Sequence, residues 1–231
     1  MSKDVTVVLT HGAWADGSSW SKVIVGLLAK GIASIAAPIP LTSFSNDVTA
    51  LDQVLARVEG DVVLVGHAYA GAVIAAVRAK RVKALVYISA LAPDEGETVA
   101  DVFQRAQPHP KAPRVAPDSH GWIYLPDIAF TEAFAQHASP AEQAVLRAVQ
   151  RPLSPACIME KVGRPLWKDL PTWYLLAEED RMIVAETQRF MADRMQARTR
   201  THRVDHTPSV TAPDVCVEII LEAVQAVRME A

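Results

Sequence analysis

Short runs of apolar residues alternate with amphipathic segments along most of the chain. The apolar runs are rich in valine, leucine, isoleucine and alanine and predict strands at 5–10, 34–39, 62–65, 84–89, 172–177 and 200–204. The amphipathic segments carry apolar side chains at helical spacing and predict helices at 21–30, 47–58, 72–79, 186–196 and 213–228. Most of the strands are apolar on both faces, as in a parallel sheet that helices cover on both sides. The chain is therefore predicted to have an α/β fold with a mainly parallel central sheet.

The stretch from about residue 93 to residue 170 interrupts this alternation. Prolines are dense between Pro108 and Pro126, and a pair of helices is predicted at 131–137 and 139–149. We interpret this stretch as a helical cap that is inserted between two strands of the sheet. With 231 residues, the chain is predicted to form a single domain, 1–231, that includes the cap.

The segment from Val62 to Ala72 has the pattern of a strand that turns sharply into a helix. It reads Val-Val-Leu-Val-Gly-His-Ala-Tyr-Ala-Gly-Ala. In the nucleophile elbow, G-x-S-x-G, the middle residue is the catalytic serine at the tip of such a turn. Here Ala68 stands in that position, and Ala70, with Gly71 behind it, stands where the second glycine is usual. Alanine has no oxygen with which to attack a substrate.

The loop after the first predicted strand indicates a second part of the same site. It reads His11-Gly12-Ala13-Trp14. Enzymes with an elbow stabilise the oxyanion with one backbone N–H from such an early loop and one from the residue after the nucleophile. The two donors would be Ala13 and Tyr69. Neither depends on its side chain, so both are compatible with alanine at position 68.

An acid and a histidine follow the later strands in the order nucleophile, acid, histidine. Asp180 follows the strand at 172–177, and His206 follows the last strand. We expect His206 to be the general base and Asp180 to orient its imidazole. Glu178 or Glu179 could replace Asp180, because a predicted strand end is accurate only to a residue or two. Asp205 ranks lower as a partner for His206, since neighbours on a strand point apart.

Several aromatic and histidine side chains are predicted to contact the substrate. His11 and Trp14 belong to the oxyanion loop, and His120, Trp122 and Tyr124 lie in the predicted cap. Caps of this kind cover an active site, which favours pocket lining for the second group. The alternative is that these residues form the core of the cap itself.

Composition and charge narrow the classes of function. The net charge is −3 and the basic residues are scattered, so neither a nucleic acid nor a membrane is expected as a partner. Cys157 and Cys216 lie far apart without metal-ligand spacing, which predicts neither a disulfide scaffold nor a zinc site. The N-terminus has no signal-peptide pattern, so a cytoplasmic location is expected. We expect a small-molecule substrate, no metal and no organic cofactor. The oligomeric state stays open, with a homodimer as one option.

Three segments, at 11–20, 66–71 and 92–97, resemble those of small bacterial α/β-hydrolases of the esterase type. These enzymes are akin to plant methyl esterases and hydroxynitrile lyases. The resemblance runs from about Val5 to the C-terminal helix and implies the α/β-hydrolase fold. Family members carry Gly-His-Ser-Tyr-Gly-Gly or Gly-His-Ser-Tyr-Ala-Gly at the elbow, which implies that Ala68 replaces a serine. The resemblance also implies the same oxyanion donors and the same acid and base as the motifs above.

Three hypotheses account for Ala68. The first is a Ser→Ala substitution in a hydrolase of small, mostly apolar esters, which leaves the chain inactive or able to trap a substrate. The second is a natural alanine in a lyase-like or proton-transfer enzyme that uses His206, Asp180 and the oxyanion hole. The third is an inactive protein that binds a small molecule in the same pocket. An intact acid–histidine pair argues against the third hypothesis, because a binding protein needs neither group.

Overall fold

The computed structural model describes residues 5–229 of the chain. Its strands are β1 (Val5–Thr10), β2 (Ala33–Ala37), β3 (Asp61–His67), β4 (Val82–Ile88), β5 (Thr172–Ala177) and β6 (Arg198–His202). They form a six-stranded sheet in the order β2-β1-β3-β4-β5-β6, in which every pair of neighbours is parallel. The prediction of a mainly parallel central sheet is confirmed.

Strand β3 illustrates why the central strands are apolar on both faces. Val62 and Leu64 belong to one buried cluster, Val63 and Val65 belong to another, and all four side chains are fully buried. Successive side chains of a strand point to opposite faces of the sheet. The sheet therefore separates two hydrophobic cores, and each core needs its own layer of helices.

Helices cover both faces of the sheet. They are α1 (Ser21–Ala29), α2 (Phe44–Ala56), α3 (Ala70–Ile74), α4 (Val99–Phe103), α5 (Asp127–Ala129), α6 (Pro140–Ala148), α7 (Ala156–Met159), α8 (Ala185–Arg194), α9 (Pro208–Thr211) and α10 (Pro213–Met229). Helices α1 and α10 pack on one face, whereas α2, α3 and α8 pack on the other. Within residues 5–229, none of these helices has the length and apolar character needed to cross a bilayer.

Residues 89–171 lie between β4 and β5 and are called the insertion below. The insertion contains α4 to α7 and builds a further hydrophobic cluster, in which Phe130 and Phe134 are fully buried with their ring centroids 5.3 Å apart. A capping box between Ser139 and Glu142 begins α6, within the helix that the sequence predicts there. The helix predicted at 131–137 is observed instead as α5 followed by a π turn at Phe130–Phe134.

The bounds of two other helices differ from the prediction for local reasons. Helix α2 begins at Phe44 rather than residue 47, because the Ser43 side chain accepts a hydrogen bond from the Asn46 N–H and caps the helix there. Helix α3 ends before the predicted residue 79. The carbonyl of Ala75, directly after it, accepts a hydrogen bond from the Leu166 N–H of the insertion. The Ala75 carbonyl is therefore bonded to the insertion and does not accept the hydrogen bond that would continue the helix.

Strand β6 lies at 198–202, whereas 200–204 was predicted. It is an edge strand with mostly exposed or half-exposed side chains, among them Arg198 and Arg200. Charged side chains are common on edge strands, where they discourage pairing with other chains. Such a strand has little apolar pattern, so its bounds follow from its pairing with β5, in which Arg198 is the partner of Trp173.

His11 ties the end of β1 to the segment that follows β2. Its Nδ1 donates to the Gly12 carbonyl at 2.9 Å, and its Nε2 accepts from the Ile39 N–H at 3.3 Å. The side chain is fully buried, and burial lowers its pKa from 6.5 to about 4. The folded protein therefore keeps His11 neutral under conditions in which an unfolded chain protonates it.

We expect acid to weaken the fold through His11. Between pH 6.5 and about 4 the unfolded chain binds a proton that the folded protein does not bind, so stability falls as the pH falls through this window. The His11→Gln variant keeps an acceptor for the Ile39 N–H but does not titrate. Its loss of unfolding free energy between pH 7 and pH 5 should be smaller than that of the parent chain by about 1–2 kcal/mol. Urea denaturation at both pH values measures this, and equal losses would contradict the expectation.

Candidate active site

The turn from β3 into α3 holds Ala68 in a strained conformation. Its φ is +49°, in the left-handed region that costs a residue such as alanine about 1–2 kcal/mol. The Ala68 N–H donates to the Ile88 carbonyl at 3.3 Å. The Ala68 carbonyl accepts from the N–H groups of Gly71 and Leu91 at 3.1 and 2.9 Å. These bonds hold the strained residue at the carboxyl end of the sheet.

Close packing around this turn requires glycine at two positions. A Cβ atom at Gly66 would lie 2.8 Å from the Ala70 carbonyl oxygen, and one at Gly71 would lie 2.4 Å from the Leu91 carbonyl oxygen. Both distances are too short for a Cβ contact. The close approach to the Leu91 carbonyl is at Gly71 and not at residue 70. An alanine therefore fits at position 70, where the motif usually has its second glycine.

The loop after β1 lies directly against the elbow. A Cβ atom at Gly12 would lie 3.0 Å from the Ala68 Cβ and 2.9 Å from His67 Nδ1. Neither the Ala13 N–H nor the Tyr69 N–H donates a hydrogen bond to any group within residues 5–229. The two N–H groups predicted for the oxyanion hole are thus both unoccupied by protein acceptors.

His206 and Asp180 form a buried hydrogen-bonded pair. The distance from His206 Nδ1 to Asp180 Oδ2 is 2.8 Å, and the two side chains are 3% and 0% exposed. Because Nδ1 donates to the carboxylate, the lone pair of the ring is on Nε2. Asp180 also accepts from the N–H groups of Met182 and Ile183 and from the side-chain amide of Gln188. Four donors therefore hold the carboxylate in one orientation.

The structure distinguishes Asp180 from the other carboxylates considered for this role. Glu178 is exposed, and Glu179 forms ion pairs with an arginine and a histidine at the surface. Asp205 accepts hydrogen bonds from the His137 N–H of the insertion and from Thr207 and Thr211, which follow Asp205 in the chain. Of these four residues, Asp180 is the one whose carboxylate bonds to His206.

Two rings pack against His206. The ring centroids of His67 and Phe134 lie 4.8 and 5.4 Å from that of His206. His67 Nε2 donates to the His206 carbonyl at 2.7 Å, which joins the elbow to the loop that carries His206. Complete burial, together with the nearby His206, lowers the pKa of His67 to about 3. His67 therefore stays neutral near neutral pH.

An apolar cavity of about 370 Å³ brings these groups together. Ala13, Ala68, Tyr69 and His206 form part of its wall. Much of the remaining wall comes from the insertion: Leu91, Val99, Ala100, Phe103, Gln104, Pro108, Ala112, Pro113, Val115, Ile123, Leu153 and Ile158. Among the described residues that form the wall there is no lysine, arginine, aspartate or glutamate, so its chemistry suits a small, neutral and mostly apolar molecule.

Two of the predicted substrate contacts come from the oxyanion loop, and they differ in position. Trp14 borders the cavity, and its Nε1 donates to the Ile123 carbonyl of the insertion at 3.0 Å. His11 is fully buried and does not border the cavity. Both of its ring nitrogens are engaged by backbone groups, so His11 shapes the loop and is not placed to bind substrate.

The three predicted contacts from the insertion lie outside the cavity wall. His120 and Tyr124 are exposed, and Trp122 is half-buried. For Trp122 and Tyr124 the reason is the bridge between Ile123 and Leu153, both of which border the cavity. Neighbours on an extended segment point to opposite sides, so the aromatic residues flanking Ile123 face outward.

The sequence reasoning missed the aliphatic part of the wall. It gave weight to aromatic residues of the insertion, whereas Ile123, Leu153 and Ile158 border the cavity. A signal was present in the alternation at 122–125, where buried Ile123 and Leu125 alternate with the more exposed Trp122 and Tyr124. The role of Asp47, which is described below, had no recognisable motif.

A family profile for the "Alpha/beta hydrolase family" matches residues 7–219. The chain belongs to the alpha/beta hydrolase family. The match includes every strand from β2 to β6, the elbow, the insertion, Asp180 and His206. No curated protein matches the chain.

Solved structures of esterases and related hydrolases share this fold. A pyrethroid hydrolase from Sphingobium faniae JZ-2 superposes with a TM-score of 0.80 at 21% identity, covering 94% of this chain and 96% of that chain. Polyneuridine aldehyde esterase gives 0.78 at 17% identity, covering 95% and 98%. A methylesterase from Arabidopsis gives 0.77 at 15% identity, covering 96% and 99%. At these identities the similarity shows the fold alone.

The conformation of the elbow predicts an unusual response to glycine. Glycine adopts a positive φ without strain, so Ala68→Gly should change the unfolding free energy by less than about 1 kcal/mol. Ala72→Gly, in the middle of α3, should lower it by about 1 kcal/mol or more, because it removes a buried methyl group from a regular helix. Urea denaturation of both variants provides the comparison. Equal destabilisation by the two changes would be inconsistent with strain at Ala68.

Proposed function

We propose that this site is built for the hydrolysis of small, mostly apolar carboxylic esters, and that Ala68 leaves it without its nucleophile. One observation carries the proposal. A strained elbow residue, two residues whose N–H groups have no acceptor within residues 5–229, and a histidine paired with a buried aspartate all border one apolar cavity. These are the parts that acyl transfer through a serine requires, apart from the serine hydroxyl.

Each group has a defined role in this proposal. A serine hydroxyl at position 68 would attack the ester carbonyl, and His206 Nε2 would accept its proton while Asp180 stabilises the charged imidazole. The N–H groups of Ala13 and Tyr69 would donate to the oxyanion of the tetrahedral intermediate. His206 would then activate water to cleave the acyl-enzyme. With Ala68, the site binds the ester and polarises its carbonyl, but no acyl-enzyme forms.

The insertion acts as a cap in this proposal. It supplies aliphatic and proline side chains to the cavity wall, and the Trp14 hydrogen bond ties it to the oxyanion loop. A wall of this kind excludes water and strengthens the interaction between the N–H donors and the developing oxyanion. The names of similar structures, among them an aldehyde esterase and a methylesterase, agree with ester chemistry.

Restoring the hydroxyl should restore hydrolysis. We expect Ala68→Ser to hydrolyse p-nitrophenyl acetate or butyrate at least about 100-fold faster than the parent chain, because a triad nucleophile contributes several orders of magnitude to the rate. Release of p-nitrophenolate measures the reaction. Adding His206→Gln to Ala68→Ser should return the rate to that of the parent chain.

A matched control separates this effect from a general effect of an added hydroxyl. Ala75→Ser places the same group on a buried alanine just after α3, outside the cavity wall, and should not gain activity. An Ala68→Ser variant that folds and remains as slow as the parent chain would exclude the ester-hydrolase proposal.

A second candidate function uses His206 without a nucleophile. The completeness of the Asp180–His206 pair, with four donors to the carboxylate, favours it, because this pair forms a general base whether or not residue 68 carries a hydroxyl. In this alternative His206 removes a proton from a neutral substrate, and the Ala13 and Tyr69 N–H groups stabilise the resulting oxyanion.

A small neutral probe tests the second candidate in the unchanged chain. 5-Nitrobenzisoxazole opens to a coloured phenolate when a base removes its ring proton. We expect the parent chain to accelerate this opening, and His206→Gln to lower the rate at least about 100-fold, the usual range for loss of a general base. Equal rates for the parent chain and His206→Gln would rule out base catalysis by His206.

A further inference from the structure

Asp47 is a fully buried carboxylate close to the elbow that the proposed reaction does not use. It lies in the first turn of α2 and is 0% exposed. Its Oδ1 accepts from the Leu41 N–H at 2.7 Å, and its Oδ2 accepts from the Tyr69 hydroxyl at 2.7 Å. The Cys157 thiol of the insertion lies 3.6 Å from the same Oδ2. Asp47 therefore joins α2, the elbow and the insertion at one point.

Tyr69 connects this carboxylate to the candidate oxyanion hole. Its main chain follows the strained residue Ala68, and its N–H has no acceptor within residues 5–229. Its side chain is 3% exposed and is held at the far end by Asp47. The residue after the strained turn is thus anchored through its hydroxyl, while its N–H remains available to the cavity.

We propose that Asp47 is a positioning residue, which acts through the Tyr69 hydroxyl to hold the Tyr69 main-chain N–H in the orientation that an oxyanion requires. The inference rests on the proposed function in one respect, namely the use of this N–H as an oxyanion donor. A strained residue keeps its conformation only when the surrounding structure fixes it. The Tyr69 hydroxyl bond provides such a constraint on the residue directly after Ala68.

The pKa of Tyr69 and the donors around Asp47 indicate that the Tyr69 hydroxyl is the donor in this bond. Burial, and next the charge of Asp47, raise the pKa of Tyr69 well above 10, so its hydroxyl keeps the proton that it donates. The pKa of Asp47 is raised, because burial outweighs the opposing effects of its hydrogen bonds to Tyr69, Leu41 and Cys157 and of the nearby charge of Arg151. A carboxylate that receives three donors accepts from the Tyr69 hydroxyl rather than donating to it.

The first test uses the chain with Ala68 unchanged and does not depend on activity. The sequence contains four tyrosines, so labelling with [15N]tyrosine gives a simple amide spectrum in which the loss of one signal in Tyr69→Phe assigns Tyr69. In Asp47→Ala the Tyr69 amide signal should shift and broaden, whereas the Tyr124 signal, from the exposed side of the insertion, should stay in place. An unchanged Tyr69 signal in folded Asp47→Ala would overturn the proposal.

Asp52→Ala is the matched control for this measurement. It removes a carboxylate from the same helix, but its side chain accepts from the Arg78 N–H at 2.9 Å and does not contact Tyr69. It should leave the Tyr69 signal unchanged. An equal shift in Asp52→Ala would show a general effect of charge or helix stability and would also overturn the proposal.

The second test measures catalysis in the Ala68→Ser chain. Tyr69→Phe and Asp47→Ala should each lower kcat for a p-nitrophenyl ester by about 10- to 100-fold, with KM changing less than about threefold, because misalignment of an oxyanion donor weakens the transition state more than substrate binding. The double variant should be no slower than Tyr69→Phe alone, since Asp47 acts through the hydroxyl that Tyr69→Phe removes. Losses that multiply in the double variant would contradict this mode of action.

Two further outcomes keep the tests decisive. If Asp47→Ala does not fold because the Leu41 N–H is left buried without an acceptor, Tyr69→Phe still removes the connecting bond and leaves Asp47 in place.

Asp47→Asn, which offers an amide donor to the Tyr69 oxygen, should recover most of kcat, and failure to do so in a folded variant would count against positioning. An Ala68→Ser chain without esterase activity would refute the proposed function alone, and the Tyr69 amide signal would then decide the role of Asp47.

Discussion

The left-handed turn at Ala68 determines where the other parts of the site must lie. A strand that is buried on both faces leads directly into a helix, and the reversal is confined to one residue with a φ of +49°. Its N–H donates to the last carbonyl of β4, and its carbonyl accepts from Gly71 near the start of α3 and from Leu91 of the insertion. The carboxyl ends of parallel strands meet at one edge of the sheet, so the loops after β1, β5 and β6 also reach the turn. The cavity forms where these loops and the insertion converge.

Two buried carboxylates hold residues that border the cavity, Asp180 through His206 and Asp47 through Tyr69. Asp180 accepts four hydrogen bonds and orients His206, whereas Asp47 accepts from Leu41 and Tyr69 and also contacts Cys157. A buried carboxylate is costly unless several donors compensate for the loss of water. The donors come from different elements of the fold, so each carboxylate also fixes how those elements meet at the cavity.

Apolar pattern was sufficient to predict the sheet, because the central strands are buried on both faces and carry almost uninterrupted apolar runs. The predicted bounds 5–10 and 172–177 coincide with β1 and β5. The motifs also indicated which loops would meet and favoured Asp180 as the partner of His206, but they left Glu178 and Glu179 open. Asp180 takes that place because its side chain turns back to accept from Met182 and Ile183, a feature that the sequence of the carboxylate run does not show. Likewise, the bridge between 123 and 153 determines which side chains of the insertion face the cavity.

The features that surround Ala68 share a physical cost. A positive φ at alanine, a buried aspartate–histidine pair and a second buried carboxylate each oppose folding unless their surroundings compensate. None of them is needed to form a parallel sheet, because apolar side chains supply both of its cores. They lie instead around one cavity, whose wall includes His206, held by Asp180, and Ala13 and Tyr69, whose N–H groups have no acceptor within residues 5–229. In the proposed hydrolysis of esters, oxyanion stabilisation and base catalysis would account for all of them together, and a serine hydroxyl at residue 68 would complete the site.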